Sequence, residues 1–581
     1  MAIRDLRTAP AGLVLHTDVA VIGGGPAGLA IARELCGTRI RVTVVDSGGF
    51  EDDRALDSLN TVERVGAQAT GQTLGRGYSG SLAWLNAIPA FELRHRGLGG
   101  STRTWIGKCA AFDEIDLEKR RWVPASGWPI SHGQLMPYLD RAAELLNLGP
   151  NVYDHQLYGL LRSPPDRDMF GDDRLRPFFW QFSHEPGSSE PMRFKQVARR
   201  ADAHNIDFLT HATVTRIDTD EGGGRVRSVT VRNDHGGHAV VHAPMIVLCA
   251  GGIENPRILL ASPGARGGGL GNQHGVVGRY LADHPRAMIA SVPDRAITEV
   301  SRIFTFYGLA DPAAPNFYLH GFSLSPTLQR SEGLLNCAAY PVQTLAQDDP
   351  WHALRRLSGR PGKDMAADLW HVLRSPGLIA AGAFERLHRR RGLPRKAAAL
   401  RFDALVEQRP NPQSRVTLSR HRDRHGVAIP RVDWRIGEHE VRSLCRLAEE
   451  MAAAFSRAGL PEPLLPDWVL QGNAQDVPLA DMAHPSGTTR MGTDVRSSVV
   501  DANCMVHGVE GLFIAGSSVF PTSGHANPTL MIVSLALRLA DHLRAYVRTA
   551  GEQQERTLPK RRASGVQARA LKGANLSFQK P

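Results

Sequence analysis

The stretch that decides the fold is residues 18–47, DVAVIGGGPAGLAIARELCGTRIRVTVVDS. Val19 to Ile22 is a short apolar run ending at glycine and reads as a buried strand. Gly23, Gly25 and Gly28 follow with G-x-G-x-x-G spacing, Pro26 and Ala27 lie among them, and a helix is expected over Leu29 to Leu35. A second apolar strand, Val42 to Val45, ends in Asp46 and Ser47. The glycine pattern alone is weak. With strand, helix, strand and terminal acid all in place it is the fingerprint of a dinucleotide-binding unit. The glycines permit a tight turn and close approach, the helix N-terminus takes the pyrophosphate, and the acid takes a ribose hydroxyl.

The opposite end of the chain supplies a complementary feature. A polar loop headed by His484, HPSGTTRMG, leads to the apolar run Gly511 to Gly516, which is too short for a helix and reads as a strand. Asn527 then suits an N-cap, Pro528 suits the first helical turn, and Leu530 to Leu539 is apolar on nearly every side. A helix apolar all round is buried, so its N-terminus is an interior patch of positive potential. Such a patch favours an anion or a developing negative charge. His525 and Asn527 sit at its mouth, and the loop can bring His484 there.

Working outward, Met245 to Cys249 is another buried strand, turned by Gly251 and Gly252 into a helix beginning near Asn255-Pro256. Residues 94–105, RHRGLGGSTRTW, are rich in glycine and small hydroxyls that can pack against a phosphate or a flat ring. Residues 50–80 are polar and weakly patterned and are expected to cover the cofactor. Gln134 to Leu146 and Val441 to Ala458 read as amphipathic helices, and Arg225 to Arg232 with Ala239 to His242 as a hairpin. Strand-like stretches at Ser301 to Tyr307, Asn316 to Leu324, Leu335 to Val342, Phe402 to Gln408 and Arg415 to Leu418 suit an antiparallel sheet.

Composition bounds the class. With 42% hydrophobic and 22% charged residues the chain has ample material for a core. A net charge of +11 suits an anionic cofactor, and no nucleic-acid motif accompanies it. The six cysteines have neither metal-ligand nor CxxC spacing, so no metal site is expected. No secretory signal, twin arginine or run of about 18 apolar residues is present, and a cytoplasmic location is expected. Residues 351–400 form a helical, arginine-rich excursion with three readings: a solvated packing element, a lid over the substrate, or a basic surface for a membrane or acidic protein.

Five motifs, in this order, carry a resemblance to the glucose–methanol–choline (GMC) oxidoreductases. They are residues 23–28 (GGGPAG), 99–102 (GGST), 249–257 (CAGGIENPR), 487–492 (GTTRMG) and 526–529 (ANPT). Within that family the chain is most similar to the branch that oxidises sugars and polyols. The resemblance implies an α/β chain, α+β overall, with a Rossmann-like FAD-binding domain assembled from separated segments. An interleaved substrate domain is built on an antiparallel sheet plus helices. The expected boundaries are 17–110, 195–284 and 479–548 for the FAD domain, 111–194 for covering and connecting segments, and 285–478 for the substrate domain. Flexible tails are expected at 1–16 and 551–581.

The resemblance also implies site roles. FAD would lie along Gly100, Ser101 and Thr104, against Ala250 and Gly251, and beside Gly516, Ser517, Pro528 and Thr529, with Val214 reading adenine through its backbone. The family base corresponds to His484 and its partner to Asn527, with His525 as the rival base or a substrate contact. Some members attach FAD through a histidine in the window that here reads Arg103-Thr104-Trp105, so non-covalent FAD is expected. Thr489 stands where a sugar-oxidising relative has histidine.

The implied reaction moves a hydride from a CH–OH group to flavin N5 while histidine takes the hydroxyl proton. The substrate is a small alcohol, and the electron acceptor stays open between oxygen and another carrier. Rival readings are a non-sugar aliphatic or aromatic alcohol as substrate, a non-catalytic binding protein on a flavoprotein fold, a flavin monooxygenase, or an amine oxidase.

Overall fold

Val19–Ile22 and Val42–Val45 are fully buried parallel strands in register, with the helix Pro26–Leu35 between them. The computed structural model describes residues 2–65, 94–171, 173–188, 190–200, 204–264, 267–308, 316–359, 364–472 and 477–557. The helix starts three residues before the expected Leu29, because Pro26 presets the first turn. Gly23 has φ +105°, and a Cβ there would lie 2.7 Å from the carbonyl oxygen of Cys249. A Cβ on Gly28 would lie 2.0 Å from the carbonyl oxygen of Gly23, so this glycine lets helix and strand touch.

These strands belong to a six-stranded sheet in the order Ala2–Asp5, Ile206–Thr210, Val42–Val45, Val19–Ile22, Met245–Leu248, Leu512–Ile514. Every pairing in it is parallel. The inner strands are apolar at consecutive positions because both faces are covered. On one face the terminal helix Thr529–Thr557 packs against Pro26–Leu35 and His132–Leu145.

The N-terminus is not a loose tail. Ala2–Asp5 adds the edge strand just named, and Leu13–His16 pairs in parallel with His238–His242 at the edge of a second sheet. Four-residue edge strands half exposed along their length carry little hydrophobic signal, and backbone pairing holds them. The terminal helix runs on to Thr557, past the expected limit at 550, and residues 558–581 lie outside the described residues.

The roof over the cofactor sheet is a seven-stranded antiparallel sheet. Its main order is Arg286–Ser291, Ala397–Val406, Cys337–Leu345, Tyr318–Leu324, Leu175–Phe182, Lys108–Cys109, with Phe306–Tyr307 on Tyr318–Leu324. Two strands therefore come from before residue 285. Leu175–Phe182, LRPFFWQF, is buried on both faces and shows no alternation, which hides it from a period-two reading. Ser301 to Tyr307 is mostly not strand: Ile297–Ile303 is a helix that buries Ile297, Val300 and Ile303 at helical spacing. The arginine-rich excursion forms three α-helices, Pro350–Ser358, Met365–Leu373 and Pro376–Phe384, the last continued by a π-helical turn, Glu385–Arg389. Leu400 belongs to the following strand. Of the covering segment expected at 50–80, residues 66–80 lie outside the described residues.

Candidate active site

A cavity of about 450 Å³ runs between the two sheets, and both ends of the chain meet in it. The fingerprint contributes Gly23, Gly25, Pro26 and Ala27, followed by Asp46 and Ser47 at the end of the second strand. Gly28 does not reach the cavity and acts only in helix–strand packing. Gly100, Ser101 and Thr104 line one wall, and Val214, Ala250 and Gly251 another. The C-terminal end adds His484, Gly516, Ser517, Asn527, Pro528 and Thr529.

The local motifs explain this convergence. Asn255 accepts the N–H of Ala250 on Oδ1 at 2.8 Å and donates from Nδ2 to Ser518 Oγ at 2.9 Å. It thereby ties the second glycine turn to the chain's last strand. Thr488 donates to the carbonyl of Gly252 at 2.6 Å. Thr489 is fully buried and bonds Ser518 at 2.7 Å, outside the cavity wall, so its difference from a histidine-bearing relative concerns packing.

The fit to FAD rests on donors and acceptors left without protein partners. The helix at Pro26 has no side-chain cap, so its first-turn N–H groups are free for a pyrophosphate. Asp46 accepts N–H groups from Gly24 at 2.7 Å and Gly48 at 2.8 Å. Asp46 lines the cavity, where ribose hydroxyls would oppose the burial that raises its pKa. Asn527 Oδ1 is buried with no hydrogen-bond partner. The first backbone bond of the terminal helix runs from Ile532 N–H to Pro528. Asn527 therefore stands one position before the cap, and its amide is turned to the cavity instead of the helix.

His484, on the cavity wall, meets His284 behind it. Their Nδ1 atoms are 3.0 Å apart, and His284 Nε2 lies 3.3 Å from the carbonyl oxygen of Ser523. A carbonyl only accepts, so His284 donates from Nε2. Burial holds the His284 imidazole at about 4, so it is neutral and its Nδ1 accepts. His484 must then donate from Nδ1, which leaves its Nε2 with the lone pair. Burial lowers the His484 imidazole far below the usual histidine range, and His284 and Lys108 push the same way. The backbone N–H of His484 donates to Asp283, which also accepts from Met482 and His284. Asp283, His284 and His484 are the one group among the described residues with three metal-ligand atoms within 4.8 Å of one another.

His525 lies elsewhere. It is 1% exposed, outside the cavity wall, edge-on to Phe178 at 4.6 Å, with Nε2 3.8 Å from Asp113. It therefore stands behind the site, in place of a substrate contact.

Several cavity residues have no motif to announce them. Lys108 sits over the rings of Tyr340 at 3.4 Å and Trp180 at 4.3 Å. Burial brings its ammonium down to about 7, with Arg286 adding and Asp403 opposing. Arg94, His95 and Arg96 line the cofactor end. Glu254 is buried there; Arg257, Arg96 and Arg94 overcome its burial and keep it ionised. His284 was legible only as the Asp-His-Pro at the boundary drawn between the expected domains.

Comparison with known proteins decides the family. The chain matches the GMC oxidoreductase family over residues 193–286 and 410–536. It is 30% identical to paromamine 6'-oxidase of Streptomyces fradiae, covering 90% of each chain. The chain is a GMC oxidoreductase. It is also 24% identical to 2-methyl-1,2-propanediol dehydrogenase of Mycolicibacterium austroafricanum, covering 91% of this chain and 95% of that one. Among solved structures, pyridoxine 4-oxidase from Mesorbium loti shares the fold with TM-score 0.52 and 17% identity, over 92% of this chain and 99% of that one. As a GMC oxidoreductase the protein is an FAD-dependent enzyme of alcohol oxidation. Among the described residues no helix is long and apolar enough to cross a membrane.

Proposed function

We propose that this GMC oxidoreductase oxidises a hydroxyl of a polyhydroxylated substrate, a sugar, glycoside or aminocyclitol, to a ketone or aldehyde. The observation that carries the reading is the His284–His484 contact, which supports a neutral imidazole with its lone pair on Nε2 in the cavity that Asn527, whose Oδ1 has no partner, also lines. His484 Nε2 takes the hydroxyl proton. Asn527 donates to the substrate oxygen. FAD held by the glycine turn at 23–28, Asp46 and the Gly516–Thr529 wall would supply the hydride-accepting chemistry. The terminal helix presents its positive end to the same region and favours the negative charge left there.

The substrate class is supported by the cavity beyond His484. Lys108, Arg286 and Tyr340 line the cavity, a polar and aromatic wall that suits several hydroxyls on one ring. The relatives named above point the same way: one is named for oxidising paromamine and the other for a diol. We place the protein in the cytoplasm, a location supported by six unpaired cysteines, five of them buried.

The test is anaerobic mixing of the holoenzyme with a panel of sugars, glycosides, aminocyclitols and aliphatic and aromatic alcohols, followed by absorbance of the flavin. Bleaching by polyhydroxylated members supports the reading. Bleaching by aliphatic or aromatic alcohols alone refutes it.

A further inference from the structure

The arginine-rich excursion takes no part in the cavity: none of its described residues lines it. Residues 350–396 carry nine arginines and two lysines against two aspartates and one glutamate, a net +8 of the whole chain's +11. The segment is inserted at the tip of the hairpin formed by Cys337–Leu345 and Ala397–Val406. That tip lies about 17 Å along the strand from the cavity residue Tyr340.

Its helices are turned inside out. Asp368 is buried and paired to Arg356, which ties Met365–Leu373 to Pro350–Ser358. Gly382 packs on the ring of Trp351, where a Cβ would approach to 2.1 Å. The large apolar side chains point outward instead: Leu369 is 51% exposed, Trp370 55%, Leu373 64%, Phe384 51% and Leu387 75%. Surface hydrophobes normally occur singly, whereas here they are concentrated within some twenty residues. Arg374 lies over the ring of Trp370 at 5.3 Å and Arg389 over Phe384 at 5.8 Å. Guanidinium groups stacked beside exposed rings suit an interface that is apolar within and anionic at its surface.

We infer that this excursion is a peripheral membrane-binding surface that seats Trp370, Leu373 and Leu387 among the headgroups of an anionic bilayer. The occupant is chosen by charge. The face carries arginine interleaved among exposed apolar residues, the pattern of a helix lying in a lipid interface. Exposed Arg386 and Arg390 are free of ion pairs among the described residues and supply the attraction.

Flotation of the holoenzyme with vesicles tests this. One set is phosphatidylcholine alone, and the other contains about a third phosphatidylglycerol. The wild type should float with the anionic set only, and added salt should release it. Trp370→Ser with Leu387→Ser, and separately Arg386→Glu with Arg390→Glu, should each weaken partitioning about tenfold or more. Flavin absorbance and turnover on soluble substrate should be unchanged in both, which shows that they fold. Failure of the wild type to float, equal flotation of the variants, or a concentration-dependent dimer abolished by the Trp370 variant would each overturn the proposal.

Discussion

The Nδ1 atoms of His284 and His484 face each other at 3.0 Å, and the carbonyl of Ser523 decides which one holds the proton. The base proposed above, His484, thus has its tautomer set by a residue 200 positions away whose other nitrogen bonds the Ser523 carbonyl. Replacing His484 by Ala should slow flavin reduction by roughly 10²- to 10⁴-fold, the worth of a positioned base. His284→Ala should cost about 10- to 100-fold through loss of tautomer and orientation. Both variants should retain their flavin in gel filtration. Stopped-flow reduction at parental speed in His284→Ala would show that His284 does not position the base.

The pH dependence should report Lys108 and not a histidine. Burial keeps both imidazoles neutral above their lowered values, so neither titrates near 7. Lys108 loses its proton at about 7. Below that pH its charge opposes formation of imidazolium on His484. The reduction rate should therefore rise as pH increases through about 7. Lys108→Met should flatten the rise, and persistence of the limb in that variant would assign it to another group.

Asn527→Ala separates chemistry from helix capping. Because the terminal helix is closed at Pro528 and Asn527 Oδ1 bonds nothing, the substitution should slow reduction while leaving the melting temperature of the apoprotein nearly unchanged. A loss near 1 kcal/mol, the usual worth of a cap, would show that the amide holds the helix after all.

FAD should be released by acid precipitation, leaving the yellow colour in the supernatant. The Arg103–Trp105 window has no histidine, but His95, which sequence reading passed over, lines the cofactor end of the cavity. Colour retained in the pellet and lost in His95→Ala would reverse the expectation.

How much of this was legible beforehand follows from where each signal lives. Backbone-determined features were readable: the glycine turns and apolar parallel strands appear as local patterns, because sterics and two-sided burial act on consecutive residues. His484 and Asn527 carry the family's motifs and do converge on one cavity. Lys108, Tyr340 and His284 meet only through the tertiary fold, and nothing in their neighbours marks them. His525 was drawn toward the substrate by its nearness to Asn527 in sequence, yet the turn at 523–526 sends it behind the site. Leu175–Phe182 failed for the opposite reason: a strand buried on both faces loses its period.

The cofactor sheet draws its six strands from residues as far apart as Ala2 and Ile514. During synthesis, then, the ribosome must release every residue from Ala2 to Ile514 before the sheet can close. The turn at residues 23–28 emerges long before its opposite wall, Gly516 to Thr529. A nascent chain stalled before about residue 530 cannot enclose flavin, however much of its roof has formed. Closure over so long a span is slow, and it leaves the parallel strand edges uncovered meanwhile. Yield of active enzyme should therefore depend on chaperones and on riboflavin supply during expression, and C-terminal truncations that reach Thr529 should give colourless aggregate in place of a weaker catalyst.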